Sequence, residues 1–442
     1  MELHKLNQRN IINRLYTSRI NSETKQTSKQ ILENLVGICS AFDDVCILSS
    51  NNSPNSSKNI FAGIGSLKTV KSDPAQDSFE VLNTQISKSG NWWLGHFAYD
   101  LKNEIELLKS ENSDNVGFPT LSFFNPEFVI QLEKDQLTIE SYGKKSASEL
   151  FDITPTKKSI SSTISIQART TKEAYIKNVT QLLSHIQKGD IYEINYCIEF
   201  FAIDVSIDPG ELFLKLNSLT EAPFSALYKN DNNWLICGSP ERFIEKKGTK
   251  ISSQPIKGTR PRGKTNEEDN LLKVELFNDA KERSENVMIV DIVRNDLSRS
   301  AQKGTVKVEE LFGIHTFKNV HQMISTISCE LHSATNPIEA IKNAFPMGSM
   351  TGAPKVKAME LAEKFENAKR GLYAGALGYF TPTMDFDFNV IIRSIQYNSK
   401  TGYLSLMVGS AITANSIPEK EYDECLLKAE TLFQALGVFI NE

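Results

Sequence analysis

The residues with the greatest chemical potential lie in Pro255-Ile-Lys-Gly-Thr-Arg-Pro-Arg-Gly263, where one lysine sits between a proline corner and two arginines. An ammonium so close to other cations loses proton affinity, and burial pushes the same way. Lys257 is therefore a candidate nucleophile, because addition chemistry needs a neutral amine. The same loop also suits a simpler role, gripping a phosphate or a carboxylate. Upstream, Glu241 in Gly238-Ser-Pro-Glu-Arg-Phe243 follows the apolar run Trp234-Leu-Ile-Cys237, so it stands just beyond a strand end. A carboxyl there is partly desolvated, which raises its pKa and lets it hold a proton to donate. An ion pair with Arg242 or a lysine is the alternative.

Two carboxylate pairs share one spacing, Glu282 with Glu285 and Glu421 with Glu424. On a helix, positions three apart lie on one face, so each pair can point two carboxylates into a common pocket. A small number of hard oxygen ligands, with room left for water, is what Mg²⁺ prefers. Solvated helix faces, with Glu424 simply paired to Lys428, would explain the same pattern. Phe345-Pro-Met-Gly-Ser-Met-Thr-Gly-Ala-Pro-Lys355 opens a helix through Val356, Met359 and Leu361, and a helix start offers free amide donors to an anion. Arg393 follows the apolar run Val390-Ile-Ile392, where a charge needs a partner.

These groups need elements to hold them. Phe42 to Leu48 and Trp92 to Asp100 read as strands, and His96 within the second reads as structural. Thr170-Thr-Lys-Glu173 has capping-box spacing and opens a helix with Tyr175, Val179, Leu182, Leu183 and Ile186 on one face. That helix leads to the strand Ile191 to Phe200. The polar first thirty residues read as a mobile or weakly docked extension, 1–30. The Ser/Thr/Lys-rich stretch Gly143 to Ile166 divides an N-terminal region, 31–166, from the region 167–442.

With 442 residues, the chain is too long for one ordinary core, so two domains or one large composite fold is expected. A net charge of −5 and no basic run argue against nucleic acid, and no apolar stretch reaches a membrane span. The polar start lacks the apolar core of a secretory signal, so a cytoplasmic location is expected. Cys39, Cys46, Cys197, Cys237, Cys329 and Cys425 are scattered among apolar neighbours, without CxxC spacing. They are expected to be free and buried. None sits where a glutamine-hydrolysing thiol would be activated.

Read in order, GDIYEINY, GSPERF, PIKGT, the KERSENVMIVDIVRND helix, FPMGSMTGAPK, YAGALGYF and VGSAI resemble the chorismate-utilising enzymes, from about Leu32 to the C-terminus and most strongly after Gln167. The resemblance implies an α/β fold of α+β type, two large mainly antiparallel sheets packed as a sandwich with helices outside. It implies Glu241 as the general acid for a departing ring hydroxyl and Lys257 as a nucleophile. His321 in NVHQMIS matches the family histidine beside the ring carboxylate. Glu285 and Glu424 match Mg²⁺ ligands, with Glu282 and Glu421 acting beside them or through water. Thr259, Ser349 and Gly352 fall on substrate-lining positions. Tyr373 and Arg393 match the binders of a pyruvyl carboxylate, and Gly409, Ser410 and Ala411 match a backbone-amide cradle for the same group.

Within the family, the lysine of PIKGT is similar to that of the aminodeoxychorismate synthase component I group, whereas the anthranilate synthase component I group has alanine there. The implied activity is transfer of an amino group to chorismate, with Mg²⁺ as cofactor and ammonia supplied by a partner glutamine amidotransferase, on the route to p-aminobenzoate and folate. An anthranilate synthase component I and a non-catalytic chorismate-binding regulator are the alternatives. Glu193 departs from the pattern, since aminating relatives usually carry glutamine there and water-adding relatives carry lysine.

Overall fold

The computed structural model describes residues 16–53, 58–106, 108–153 and 164–438. The N-terminal third contributes strands β1 (Ser18–Glu23), β2 (Asp44–Ser49), β3 (Ile60–Lys71), β4 (Trp93–Phe97), β5 (Leu121–Glu133) and β6 (Gln136–Ser141). There follow β7 (Gln167–Ala168), β8 (Glu193–Ala202), β9 (Phe224–Asn230), β10 (Asn233–Ser239), β11 (Arg242–Lys247), β12 (Lys250–Gln254) and β13 (Ile256–Pro261). The last are β14 (Lys307–Thr316), β15 (Val320–Glu330), β16 (Gly352–Ala353), β17 (Ala376–Phe380), β18 (Phe386–Val390), β19 (Ser394–Asn398) and β20 (Tyr403–Ile412). The main helices are α1 (Ser28–Ile38), α2 (Ser78–Ile86), α3 (Lys172–Gln187), α4 (Pro209–Thr220), α5 (Asn266–Asn278), α6 (Ala280–Ser298), α7 (Pro337–Ala344), α8 (Lys355–Phe365) and α9 (Pro418–Leu436).

All the pairings are antiparallel. One sheet runs β1-β6-β5-β3-β2-β9-β10-β19-β20-β8, with β7 and β16 on the outer edge of β8. The other runs β5-β4-β17-β18-β11-β12-β15, with β13 also on β15 and β14 on its far side. The long β5 belongs to both, so the two sheets form one hydrogen-bonded network.

Strand β10 shows why the layers form. All its residues are buried, and successive side chains point to opposite faces, so Trp234 and Ile236 join one cluster while Leu235 and Cys237 join another. The inner cluster, with Phe61, Leu94, Phe124, Tyr228 and Leu377, draws on both sheets. Outside it, α1, α3, α4, α8 and α9 cover the first sheet, and α2, α6 and α7 cover the second. This is the α+β sandwich with helices outside that the resemblance implies.

Two boundaries differ from the sequence reading. The polar extension was drawn to residue 30, but its second half is structured: β1 pairs with β6, and Thr27 closes a capping box on α1 with Gln30. The pairing supplies backbone partners that polar composition cannot reveal. Residues 1–15 lie outside the described residues, as does 154–163 within the proposed regional boundary. Strands from both regions pair with one another, β2 with β9 and β4 with β17, as one composite fold requires. Helix α3 is capped by Thr171, one residue later than the expected box, through Ala174 N–H.

Candidate active site

Glu241 lies in the two-residue step between β10 and β11. Ser239 fixes that step, donating to Val390 O at 2.6 Å and accepting Glu241 N–H at 3.2 Å. The Glu241 carboxyl is 4% exposed, and Ser349 Oγ donates to its Oε1 at 2.8 Å. Burial pushes its pKa up to about 7, against the opposing pull of Ser349, Lys257 and the Ile256 backbone. The alternative ion pair with Arg242 does not form, since that guanidinium holds Asp387 at 2.9 and 3.0 Å and Gln254 at 2.7 Å. At neutral pH the carboxyl is poised both to keep and to give a proton.

Lys257 extends from β13. Its Nζ donates to Glu193 Oε1 at 2.9 Å and lies 3.8 Å from Glu285 Oε2. Although burial opposes the charge, Glu193 and Glu285 outweigh it and hold the ammonium above the ordinary lysine range. This corrects the expectation of a depressed pKa. The neighbouring arginines do not act on Lys257, because Arg260 pairs with Asp279 at 2.7 Å and Arg262 grips Asp269 with two bonds, 2.7 and 3.0 Å.

The two carboxylate pairs do converge, with Lys281 as their focus. Its ammonium lies 3.8 Å from Glu285 Oε1 and 3.8 Å from Glu421 Oε1. Burial opposes its charge, but Glu285, Glu421, Glu424 and Glu282 together raise its pKa. Glu285 is pushed up to about 7 by burial, and Glu282 is raised for the same reason. Glu424 is also desolvated, yet Lys428, 2.6 Å from its Oε1, carries it below the usual range. Among the described residues, Glu285 Oε1 and Glu421 Oε2 are buried without a hydrogen-bond partner. A cation therefore suits the spot that Lys281 now approaches. No group of three or more His, Cys, Asp or Glu that could hold a metal ion is assembled among the described residues.

Arg393 adopts φ 52° and ends the turn before β19. Its Nη1 donates to Lys428 O at 2.8 Å, and it forms no ion pair among the described residues. Burial lowers its pKa while Tyr373 and Glu424 oppose, which places all three groups in one field. Tyr373 is itself 4% exposed. Strand β19 pairs with β20 only as far as Leu406, so among the described residues β20 has no strand partner beyond it on that edge. Gly409, Ser410 and Ala411 occupy this stretch, still bonded to β8 on the other edge. Lys428 Nζ takes Gly409 O at 2.9 Å, and the Ser410 hydroxyl faces Tyr175 at 2.8 Å, so only backbone remains to form a cradle. Arg393 and Thr259 line an open cavity of about 190 Å³ with Gly238, Pro240 and Gln322.

Gly352 has φ 146° and packs so tightly on β8 that a Cβ would fall 2.2 Å from Glu193 O. It seats β16 on β8 by close approach. Among the described residues, His321 is hydrogen-bonded to neither the acid nor the lysine. Both ring nitrogens are engaged, Nε2 with Asp269 at 2.8 Å and Nδ1 with Thr316 at 3.0 Å, and the side chain is fully buried. His96 bonds Tyr228 and Pro119 O, as a structural histidine should. All six cysteines are free and buried, and burial raises each thiol, Cys39 and Cys237 to about 12, Cys329 and Cys425 to about 11. The sequence reading left Glu193 without a role and passed over Lys281, although its place four residues before Glu285 was a visible signal.

Residues 43–434 match the family described as chorismate binding enzyme. The chain belongs to that family. This chorismate-binding enzyme is 32% identical to aminodeoxychorismate synthase component 1 of Bacillus subtilis (strain 168), over 79% of this chain and 77% of the relative. It is 33% identical to the protein of the same name from Escherichia coli (strain K12), over 78% and 76%. Identity is also 32% to anthranilate synthase component 1 of Thermus thermophilus, over 78% and 77%. The fold matches the crystal structure of anthranilate synthase component I from Streptococcus pneumoniae with TM-score 0.75, at 23% identity over 88% of this chain and 91% of that one. It also matches the menaquinone-specific isochorismate synthase MenF of Escherichia coli, TM-score 0.75, at 18% identity over 97% and 98%. No helix among the described residues is long and apolar enough to cross a membrane.

Proposed function

We propose that this chorismate-binding enzyme is the aminase component of an aminodeoxychorismate synthase, converting chorismate and ammonia to 4-amino-4-deoxychorismate for p-aminobenzoate and folate synthesis. Overall identity does not separate this reading from anthranilate synthesis, because relatives of both names stand at 32%. Lys257 carries the choice, a buried amine in the PIKGT strand where the anthranilate group has alanine.

The residues divide the work by reach. Glu241, with a pKa of about 7, protonates the ring hydroxyl as it leaves. Lys257 must first lose a proton, and Glu193 at 2.9 Å is the acceptor within reach. The amine then adds to the ring, ammonia attacks the carbon that lost the hydroxyl, and the lysine departs. Arg393, Tyr373 and the open edge of β20 would hold the pyruvyl carboxylate, since a guanidinium can donate two parallel bonds to one carboxylate. Glu285 and Glu424 would hold Mg²⁺, with Glu282 and Glu421 close by. Such an ion supplies charge neutralisation for a substrate carboxylate. Ammonia would come from a partner glutaminase, because every thiol here is buried and its pKa raised. A cytoplasmic site of action agrees with free thiols.

Chorismate, Mg²⁺ and an ammonium salt, given to the purified protein, should yield aminodeoxychorismate by mass spectrometry. Glutamine should not replace ammonium until a glutaminase is added. Anthranilate as the main product would overturn the assignment.

A further inference from the structure

Arg370 lies outside every motif discussed so far, yet it is 1% exposed and fully engaged. Its Nε and Nη2 grip Glu366 at 2.9 and 2.6 Å. Nη1 donates to Met350 O at 2.7 Å, and Nη2 also donates to Asn195 O at 2.9 Å. The guanidinium stacks 4.2 Å from the centre of the Tyr99 ring. Glu366 in turn accepts Cys197 N–H at 3.1 Å. A buried ion pair is weak evidence for stability, since well-packed apolar side chains often do as well. What the fork adds is geometry, because a lysine cannot donate in two fixed directions at once.

The segments it joins are those that carry the site. Met350 follows Ser349, the partner of Glu241. Asn195 lies on β8, two residues after Glu193, and its own side chain donates to Ser349 O at 3.1 Å while its N–H donates to Thr351 O at 2.8 Å. The turn bearing Arg370 also holds Tyr373, whose N–H bonds Arg370 O at 3.0 Å. We propose that Arg370 is a positioning residue, seating Ser349 against Glu241 by fixing the Met350 carbonyl to β8. The inference rests on the reading of Glu241 as the acid.

The groups that face Glu241 are Lys257 from β13, the Ile256 backbone and Ser349. Asp296 on α6, paired with Lys355 at 2.8 Å, lines the same small cavity, and Arg242 is turned to Asp387. Of these, only Ser349 is held in place through Arg370. Its hydrogen bond favours the ionised carboxyl, so loosening the 348–350 turn should raise the pH at which Glu241 ionises.

Two variants test this. Arg370→Lys keeps the charge, and Arg370→Met with Glu366→Met replaces the ion pair by apolar side chains of similar size. The readouts are the pH midpoint of kcat/KM and the pH titration of the protonated-carboxyl infrared band that Glu241→Gln removes. Ser349→Ala should move both midpoints up by about one pH unit. Each Arg370 variant should do the same, with no further shift when Ser349→Ala is added. A folded variant with a wild-type midpoint, or a shift additive with Ser349→Ala, overturns the proposal. If neither variant folds, Arg370 is scaffold only, and the proposal fails as well. The infrared band needs no turnover, so an inactive wild type would sink the functional reading while the band still decides this one.

Discussion

At the scale of residues, the site is a set of proton affinities set by burial and by neighbours. Glu241 ordinarily ionises near 4.5, and in the fold it ionises near 7. The native state therefore binds this proton more tightly than the unfolded chain does. The stabilisation is complete below the unfolded value and is lost as pH rises through about 7. Glu285 acts with the same sign. Glu241→Gln should thus flatten the fall of Tm between pH 5 and 8, as read by scanning calorimetry. It should also cut turnover by about 10²–10⁴-fold. An unchanged Tm slope with unchanged turnover would remove Glu241 from the account.

Lys257→Ala should lose nearly all aminodeoxychorismate formation, and the wild type starved of ammonia should accumulate a chorismate-derived adduct on Lys257, visible by peptide mass spectrometry. Wild-type turnover by the alanine variant would reduce Lys257 to an electrostatic clamp. The sequence made the pair Glu241 and Lys257 readable because strand-end and motif signals are local. It misplaced the cause of the lysine's chemistry for a physical reason. Arg260 and Arg262 are neighbours along the chain but pair with their own carboxylates, whereas Glu193, 64 residues away, sets the charge of Lys257.

At the scale of elements, α6 and α9 matter because each presents a carboxylate pair from a first or second helical turn. The i,i+3 spacing was legible. That both pairs would meet at Lys281 was not, since nothing in the spacing shows which helices face one another. Lys281 neutralises a cluster that would otherwise repel itself, and its own side chain remains half exposed. Lys281→Ala should lower Tm measurably in EDTA, and millimolar Mg²⁺ should restore it. If Mg²⁺ leaves the Tm of both wild type and variant unchanged, the cation site is not there. The edge of β20 was legible only as a motif. Its opening depends on where β19 stops, and Arg393 in a left-handed conformation is what ends the pairing.

At the scale of the whole molecule, the two regions read from composition share a sheet. The strands β2 and β9 pair along their length, β4 pairs with β17, and β5 belongs to both layers. A fragment 167–442 would leave β9 and β17 as bare apolar edges, which is a template for aggregation. Such a fragment should be insoluble, and the full chain should unfold in one calorimetric transition. Two separated transitions would mean that the regions are independent after all.

The buried thiols have a practical consequence. A maleimide at pH 7 should find no reactive sulfur in the native protein and six in the denatured chain. One cysteine introduced at an exposed position such as Lys364 would then be the sole handle. It could carry a dye or a crosslinker without any native cysteine first being removed.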